Sequence, residues 1–435
     1  MPKDMEVLFM KGTELKEFIK GGNLDEKLAD IYADPSKTDY QRQRYIKAIE
    51  EFNDCFGDGD IEIYSAPGRS EIGGNHTDHQ RGQVLAASVN VDVLAIAAPT
   101  DDDSIRIRSK GYKMINVSLK DLGKNDSEEG TTQALIKGVV KKLEENGHRI
   151  GGFCAFITSD VLSGSGLSSS AAFETAVGTI ISGIYNDMKI SPVELARVGQ
   201  YSENVYFGKP CGLMDQMACS VGSLCHIDFF DADEPKIDRV EADMTKFGYS
   251  LCITDTKGSH AKLTPHYAAI PAEMKAVAKL LGAEVLSEVP EETFLSMLPQ
   301  IREKVGDRAL LRAIHFYGET KRAAMEADAL RNGDFDAFLE VFRESAASSF
   351  RFLQNVYPPE DPKAQSTSLA LALSERLLGR EYGAARIHGG GFAGTIQAFV
   401  KNEKVEEYRT MLDKVFGEGA CCVLQIRKYG GIRVI

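Results

Sequence analysis

The segment Gly164-Ser165-Gly166-Leu167-Ser168-Ser169-Ser170-Ala171-Ala172 concentrates glycines and hydroxyls in nine residues. Glycines let a backbone come close to a bound group, serines add hydroxyl donors and a candidate metal ligand, and paired alanines let a following helix pack tightly. Between a strand and a helix, such a loop offers N–H groups and the positive end of the helix dipole to a phosphate chain. This loop has no Gly-Lys-Ser/Thr and its glycines fail the Gly-x-Gly-x-x-Gly spacing, so it is neither a Walker nor a Rossmann loop. The plain alternative is a turn that caps the helix through Ser168 or Ser169. A second group of side chains, His76, Asp78 and His79, contains good zinc ligands. A zinc site normally takes three or four protein ligands, and no Cys or Glu-x-x-His pattern accompanies these.

Positioning the loop requires a strand before it and a helix after it, and apolar patterning predicts a strand over 153–157 and a long helix over 169–184. A helix is expected at 133–143. Strands are expected at 61–64, 84–87 and 89–98, with Ala66-Pro67-Gly68 read as a turn. The stretch 14–52 is polar and helix-prone, with breaks at Gly21-Gly22 and Pro35, and predicts a helical cap. A further strand falls within 245–254, helical spacing dominates 271–375, and the end reads as strand, helix, strand over 394–400, 405–415 and 421–426. That last arrangement predicts a split β-α-β unit. The expected organisation is a helical extension over 1–60 and two domains over 61–240 and 241–435.

The chain has 435 residues, 43% apolar and 26% charged, which describes a globular protein with more than one core. A net charge of −13 leaves no basic face for nucleic acid or an anionic membrane. The opening stretch is too short and interrupted for a signal or a span. Eight cysteines without a C-x-x-C pair predict reduced thiols and a cytoplasmic protein, expected to be a monomer with no obligate protein partner.

Four segments in order resemble the galactokinase family of the GHMP kinases. Gly68-Arg69-Ser70-Glu71-Ile72-Gly73-Gly74-Asn75-His76-Thr77-Asp78-His79 is similar to its signature G-R-V-N-L-I-G-E-H-T-D-Y. The glycine-serine loop looks like its second motif, Cys211-Gly212-Leu213-Met214-Asp215-Gln216 its aspartate segment, and Gly389-Gly390-Gly391 its C-terminal glycine motif. The resemblance runs from about Ile61 to the end. It implies an α+β fold of two domains, the first like ribosomal protein S5 domain 2, with the active site between them. It implies phosphorylation of the C1 hydroxyl of galactose by ATP with Mg²⁺. Asp215 would accept the hydroxyl proton beside Arg69. Ser170 and Glu203 would hold Mg²⁺, and Gly164, Ser165, Gly166, Leu167, Ser168, Ser169, Ser170 and Ala171 would hold the phosphates. Asn75, His76, Asp78, Gly212 and Tyr267 would line the sugar.

The departures matter. Asn75 stands where the family has a glutamate that contacts the C6 hydroxyl, and a neutral amide there admits a C6 carboxylate as in galacturonate, as well as galactose. Glu71 replaces asparagine and is expected to orient Arg69; His79 replaces tyrosine; Leu162 stands before the loop where proline is usual. The Gly391 motif is expected to brace the phosphate loop. A sugar- and ATP-binding sensor without catalysis is the alternative of another class, and mevalonate and homoserine kinases lack the His76-Thr77-Asp78 segment.

Overall fold

A computed structural model describes residues 10–161, 166–231, 234–242, 244–258 and 263–435. Gly164 and Ser165 of the expected phosphate loop, and Leu162 before it, lie outside the described residues.

The first sheet is built from β1 (Met10–Lys11), β2 (Asp60–Gly73), β3 (Gln83–Pro99), β4 (Ser104–Ser109), β5 (Ile115–Ser118), β6 (Phe153–Ser159), β7 (Leu224–Asp228) and β8 (Lys236–Val240). The second holds β9 (Tyr249–Asp255), β10 (Gly383–Ile387), β11 (Thr395–Lys401) and β12 (Cys421–Leu424), and β13 (Ile432–Arg433) returns to pair with β2. The first sheet runs β1-β2-β3-β6-β4-β5, with β7 and β8 continuing from the start of β3. The second runs β10-β11-β9-β12 and is antiparallel throughout.

The helices are α1 (Gly12–Lys20), α2 (Asp25–Tyr32), α3 (Thr38–Phe56), α4 (Thr132–Glu145), α5 (Ser169–Asn186), α6 (Pro192–Tyr201) and α7 (Met214–Val221). They continue with α8 (Thr264–Leu280), α9 (Glu291–Ser296), α10 (Leu298–Arg331, broken at Gly306), α11 (Phe335–Ser348), α12 (Ser366–Leu378) and α13 (Val405–Phe416). Together with the two sheets they make an α+β protein.

The apolar runs of β2 and β3 follow from having both faces covered. Tyr64, Ala66, Val93, Ala95 and Ala97 pack toward α4 and α5, while the alternate residues Ile61, Ile63, Leu94 and Ile96 pack against Leu15, Leu28, Tyr45 and Phe52 of the N-terminal helices. Where the sequence predicts strands at 84–87 and 89–98, one continuous strand forms. Likewise, Ala66-Pro67-Gly68 is not a turn but the middle of β2. Register shifts between Pro67 and Arg69 and between Glu71 and Gly73 bulge the strand there. A bulge accommodates proline in a strand and re-aims the side chains beside it.

Candidate active site

The phosphate loop docks on β2 through backbone. Arg69 N donates to Leu167 O at 3.1 Å, and a Cβ on Gly68 would lie 2.9 Å from that same carbonyl. Ser168, the residue before α5, sits in the left-handed region at φ 55°, and no side chain caps the helix. Its hydroxyl donates instead to Asp215 Oδ2. The expectation of a simple capping turn through Ser168 or Ser169 is therefore not met, and the first-turn amides of Ser169, Ser170 and Ala171 remain at an uncapped, positive helix end. Gly166, at φ 73°, rests on His388 and Thr395.

The bulge in β2 turns Arg69 toward α7. Its Nε donates to Asp215 Oδ1 at 2.7 Å and its Nη2 to Oδ2 at 2.9 Å, while Nη1 donates to Gly166 O. Burial alone would raise the Asp215 carboxyl; the Arg69 guanidinium and the Ser168 hydroxyl outweigh it and hold the group below the usual carboxylate range. One guanidinium thus ties together the loop and the aspartate.

Glu203 lies on a π-helical turn, Ser202–Phe207, which continues α6, a distortion found often at functional positions. It is 2% exposed, accepts from Ser170 Oγ at 3.1 Å and Gln216 Nε2 at 2.8 Å, and pairs with Lys209 at 2.9 Å. Gln216 Nε2 also reaches Glu174 Oε2 at 3.2 Å, but the buried Glu174 Oε1 has no partner among the described residues. Burial, and then the Glu203 charge, push the Glu174 carboxyl well above its ordinary range. A hydroxyl, a carboxylate and an orphaned carboxyl oxygen on one wall form a hard-oxygen set that fits Mg²⁺.

On the other side of Asp215, the turn after β2 presents His76 and Asp78. Thr77 locks it, with N and Oγ1 both donating to Gly74 O and Oγ1 also to Gln83 O. His76 is held at φ 59°, uncommon for a side chain of its size. Its Nε2 donates to Gly390 O at 3.1 Å, and burial, followed by the His79 charge, pushes its pKa down to about 4. A neutral ring donating from Nε2 keeps Nδ1 as an acceptor. Asp78 lies against Gly212, where a Cβ would overlap Oδ2. Tyr267, on α8, packs on Gly390 and donates to Gly391 O at 3.1 Å.

Three expectations need correction. Asn75 offers no free side-chain donor to a sugar: it is fully buried, and its amide is already bonded to Glu71, Gly389 and Asn355. Glu71 does not orient Arg69; its Oε1 pairs with Arg386 at 2.7 Å and accepts from Asn75 at 2.8 Å, while the Arg69 guanidinium is taken by Asp215 and Gly166 O. The Gly389-Gly390-Gly391 motif braces the His76 side rather than the phosphate loop, since its three carbonyls accept from Asn75, His76 and Tyr267. Three residues went unread in the sequence: Lys209, the cation on Glu203; Gln216, the bridge between two acids; and His388, the prop under Gly166. Only Gln216, adjacent to Asp215, carried a local signal.

The model of the galactokinase galactose-binding signature matches residues 50–99, and that of the GHMP kinases N terminal domain matches residues 134–223. The chain is 30% identical over 369 residues to the galactokinase of Enterococcus faecalis, covering 83% of this chain and 91% of that protein. It is 29% identical to the galactokinase of Glaesserella parasuis, with the same shares covered. The solved structure of Lactococcus lactis galactokinase complexed with galactose superposes with a TM-score of 0.75 at 26% identity, covering 88% of this chain and 98% of that one. A mevalonate kinase structure, at 16% identity and a TM-score of 0.60, shares the fold.

Proposed function

Since this chain belongs to the galactokinase family, we infer that it transfers the γ-phosphoryl group of ATP to the C1 hydroxyl of galactose, giving galactose 1-phosphate and ADP. The observation that carries the reading is the Arg69–Asp215 pair seated on the glycine-serine loop, with Ser168 as third partner. Galactose is the ligand of the Lactococcus lactis relative.

Asp215 takes the proton that leaves the C1 hydroxyl as its oxygen bonds to phosphorus and the bond to ADP breaks. A carboxylate held ionised by arginine is a weak base, so proton transfer comes late and catalysis rests on placement and charge. Arg69 keeps Asp215 aimed and adds positive charge near the transferred group. Asp78 accepts from two vicinal sugar hydroxyls, His76 Nδ1 from a third, and Tyr267 closes that side. The loop from Gly164 to Ala171 holds the phosphates on amides and hydroxyls.

Mg²⁺ would be held by Ser170 and Glu203, and it supplies charge neutralisation of the phosphate oxygens when bound. Lys209 offsets the buried charge of Glu203.

The argument for galacturonate falls with Asn75, because an amide whose donors and acceptor are already bonded offers nothing to a C6 carboxylate. The intact Arg69–Asp215 pair likewise speaks against a sensor without catalysis. We place the protein in the cytoplasm, a reading supported by its eight free cysteines, and take it to act as a monomer; among the described residues no helix is long and apolar enough to cross a membrane.

The test is an ATP-to-ADP coupled assay with Mg²⁺ on galactose, galacturonate, N-acetylgalactosamine and glucose, with Asp215→Asn as control. Turnover on galactose alone supports the reading. Galactose binding without turnover moves the sensor to first place.

A further inference from the structure

Every polar atom of Asn75 is engaged, and most of its partners come from the second half of the chain. Its side-chain Nδ2 donates to Glu71 Oε1 and to Gly389 O, both at 2.8 Å, and its Oδ1 accepts from Asn355 Nδ2 at 2.9 Å. Its backbone N–H donates to Glu319 Oε1 at 3.3 Å, and its carbonyl accepts from His315 Nε2 at 2.9 Å. His315 and Glu319 are one turn apart on α10, so one helix face grips both backbone groups of a single residue. Glu71 is in turn held by Arg386, whose Nη1 donates to Ser345 Oγ at 2.7 Å.

The residue that follows is His76, at φ 59°. A histidine stays in the left-handed region only where its surroundings over-determine it. The neighbour before it, fixed at five points by His315 and Glu319 of α10, by Asn355, by Glu71 and by the Gly389 carbonyl, provides that constraint. The same Gly389–Gly390 segment accepts from both Asn75 and His76. Loosening Asn75 therefore frees the turn that carries His76 and Asp78 together.

We propose that Asn75 is a positioning residue: without touching the sugar, it clamps the His76–Asp78 turn to α10, Asn355 and the Gly389 segment, so that the two halves of the chain jointly set the sugar site. The proposal rests on the galactose reading of that site. It differs from a direct contact in what the sugar's C6 oxygen contributes.

The experiment compares galactose with 6-deoxygalactose in the wild type, in Asn75→Ala and in Asn355→Ser, reading KM and kcat for both sugars and binding by calorimetry. A clamp predicts that Asn75→Ala weakens both sugars by the same factor, about tenfold or more, as expected for a lost buried hydrogen-bond set. Asn355→Ser, which removes one partner from the far half, should weaken both sugars in the same direction and by less. In Asn75→Asp the new carboxylate faces the Glu71 and Gly389 acceptors; adding Glu71→Gln returns a donor and should recover a good part of the affinity. The proposal is overturned if Asn75→Ala weakens galactose at least tenfold more than 6-deoxygalactose, which marks a direct contact to the C6 oxygen. Unchanged KM for both sugars in Asn75→Ala overturns it equally. If Asn75→Ala does not fold, Asn355→Ser and the Asn75→Asp, Glu71→Gln pair decide the same question. Absence of galactose turnover in the wild type would instead sink the substrate reading.

Discussion

Gly212 lies so close to Asp78 that a Cβ at that position would overlap the Asp78 Oδ2 oxygen. The segment that leads into Asp215 thereby sets where the Asp78 carboxylate can stand, and the two acids are placed by one piece of backbone. Gly212→Ala is expected to displace Asp78 and raise the KM for galactose about tenfold or more, with a smaller change in kcat. Steady-state kinetics with saturating ATP measure the split, and an unchanged KM would refute the placement.

Asp215→Asn keeps the size of the side chain and removes its charge and basicity. kcat should fall by roughly 10² to 10⁴, the usual worth of a positioned acid-base group, while galactose and ATP still bind. Calorimetry on the variant separates the loss of chemistry from a loss of binding. Full activity would remove Asp215 from its role.

The pH profile follows from the opposition between burial and Arg69. Activity needs ionised Asp215, so it is lost as pH falls through the Asp215 pKa, which Arg69 holds below the ordinary carboxylate range. The acid limb of kcat/KM against pH in the wild type should therefore lie below the range in which an ordinary carboxylate titrates. In Arg69→Gln burial is no longer opposed by the guanidinium, and the limb should move upward. An unmoved limb would show that Asp215 is not the group that titrates.

Glu203→Gln leaves Ser170 and removes the charged member of the hard-oxygen set. Affinity for Mg-nucleotide, read by calorimetry in the absence of sugar, should drop about tenfold or more, and the Mg²⁺ concentration for half-maximal rate should rise. Galactose affinity measured without nucleotide should stay as it was.

Asp92 is fully buried between Arg44 at 2.6 Å, Tyr32 at 2.9 Å and Arg427 at 3.3 Å, tying α2 and α3 to β3 and the C-terminal stretch. Asp92→Ala strands two buried guanidinium groups and should cost about 3–5 kcal/mol of stability in urea unfolding at pH 7. Burial raises the Asp92 pKa, but the two arginines depress it further, so its stabilisation is present at neutral pH and lost as pH falls below the unfolded value near 4. The stability gap between wild type and variant should narrow as pH falls below that value.

The sequence alone determined the elements and the chemistry that local spacing encodes. The strand at 153–159 and the helix from Ser169 follow from periodicity, and the loop between them from its glycines and serines. Arg69, Asp78 and Asp215 stood out because each sits in a motif a few residues long. The partners of those groups were decided by tertiary structure. His388, Arg386 and Glu319 come to the site from distant stretches, and no spacing along the chain records that approach. Glu71 and Asn75 mark the limit most clearly. Their side chains suggested an orienting acid and a sugar contact, yet burial obliges each to satisfy its polar atoms with what α10, β10 and the Gly389 segment bring close. A buried polar side chain takes its role from the neighbours that pay for its desolvation, and those neighbours exist only once the chain has folded.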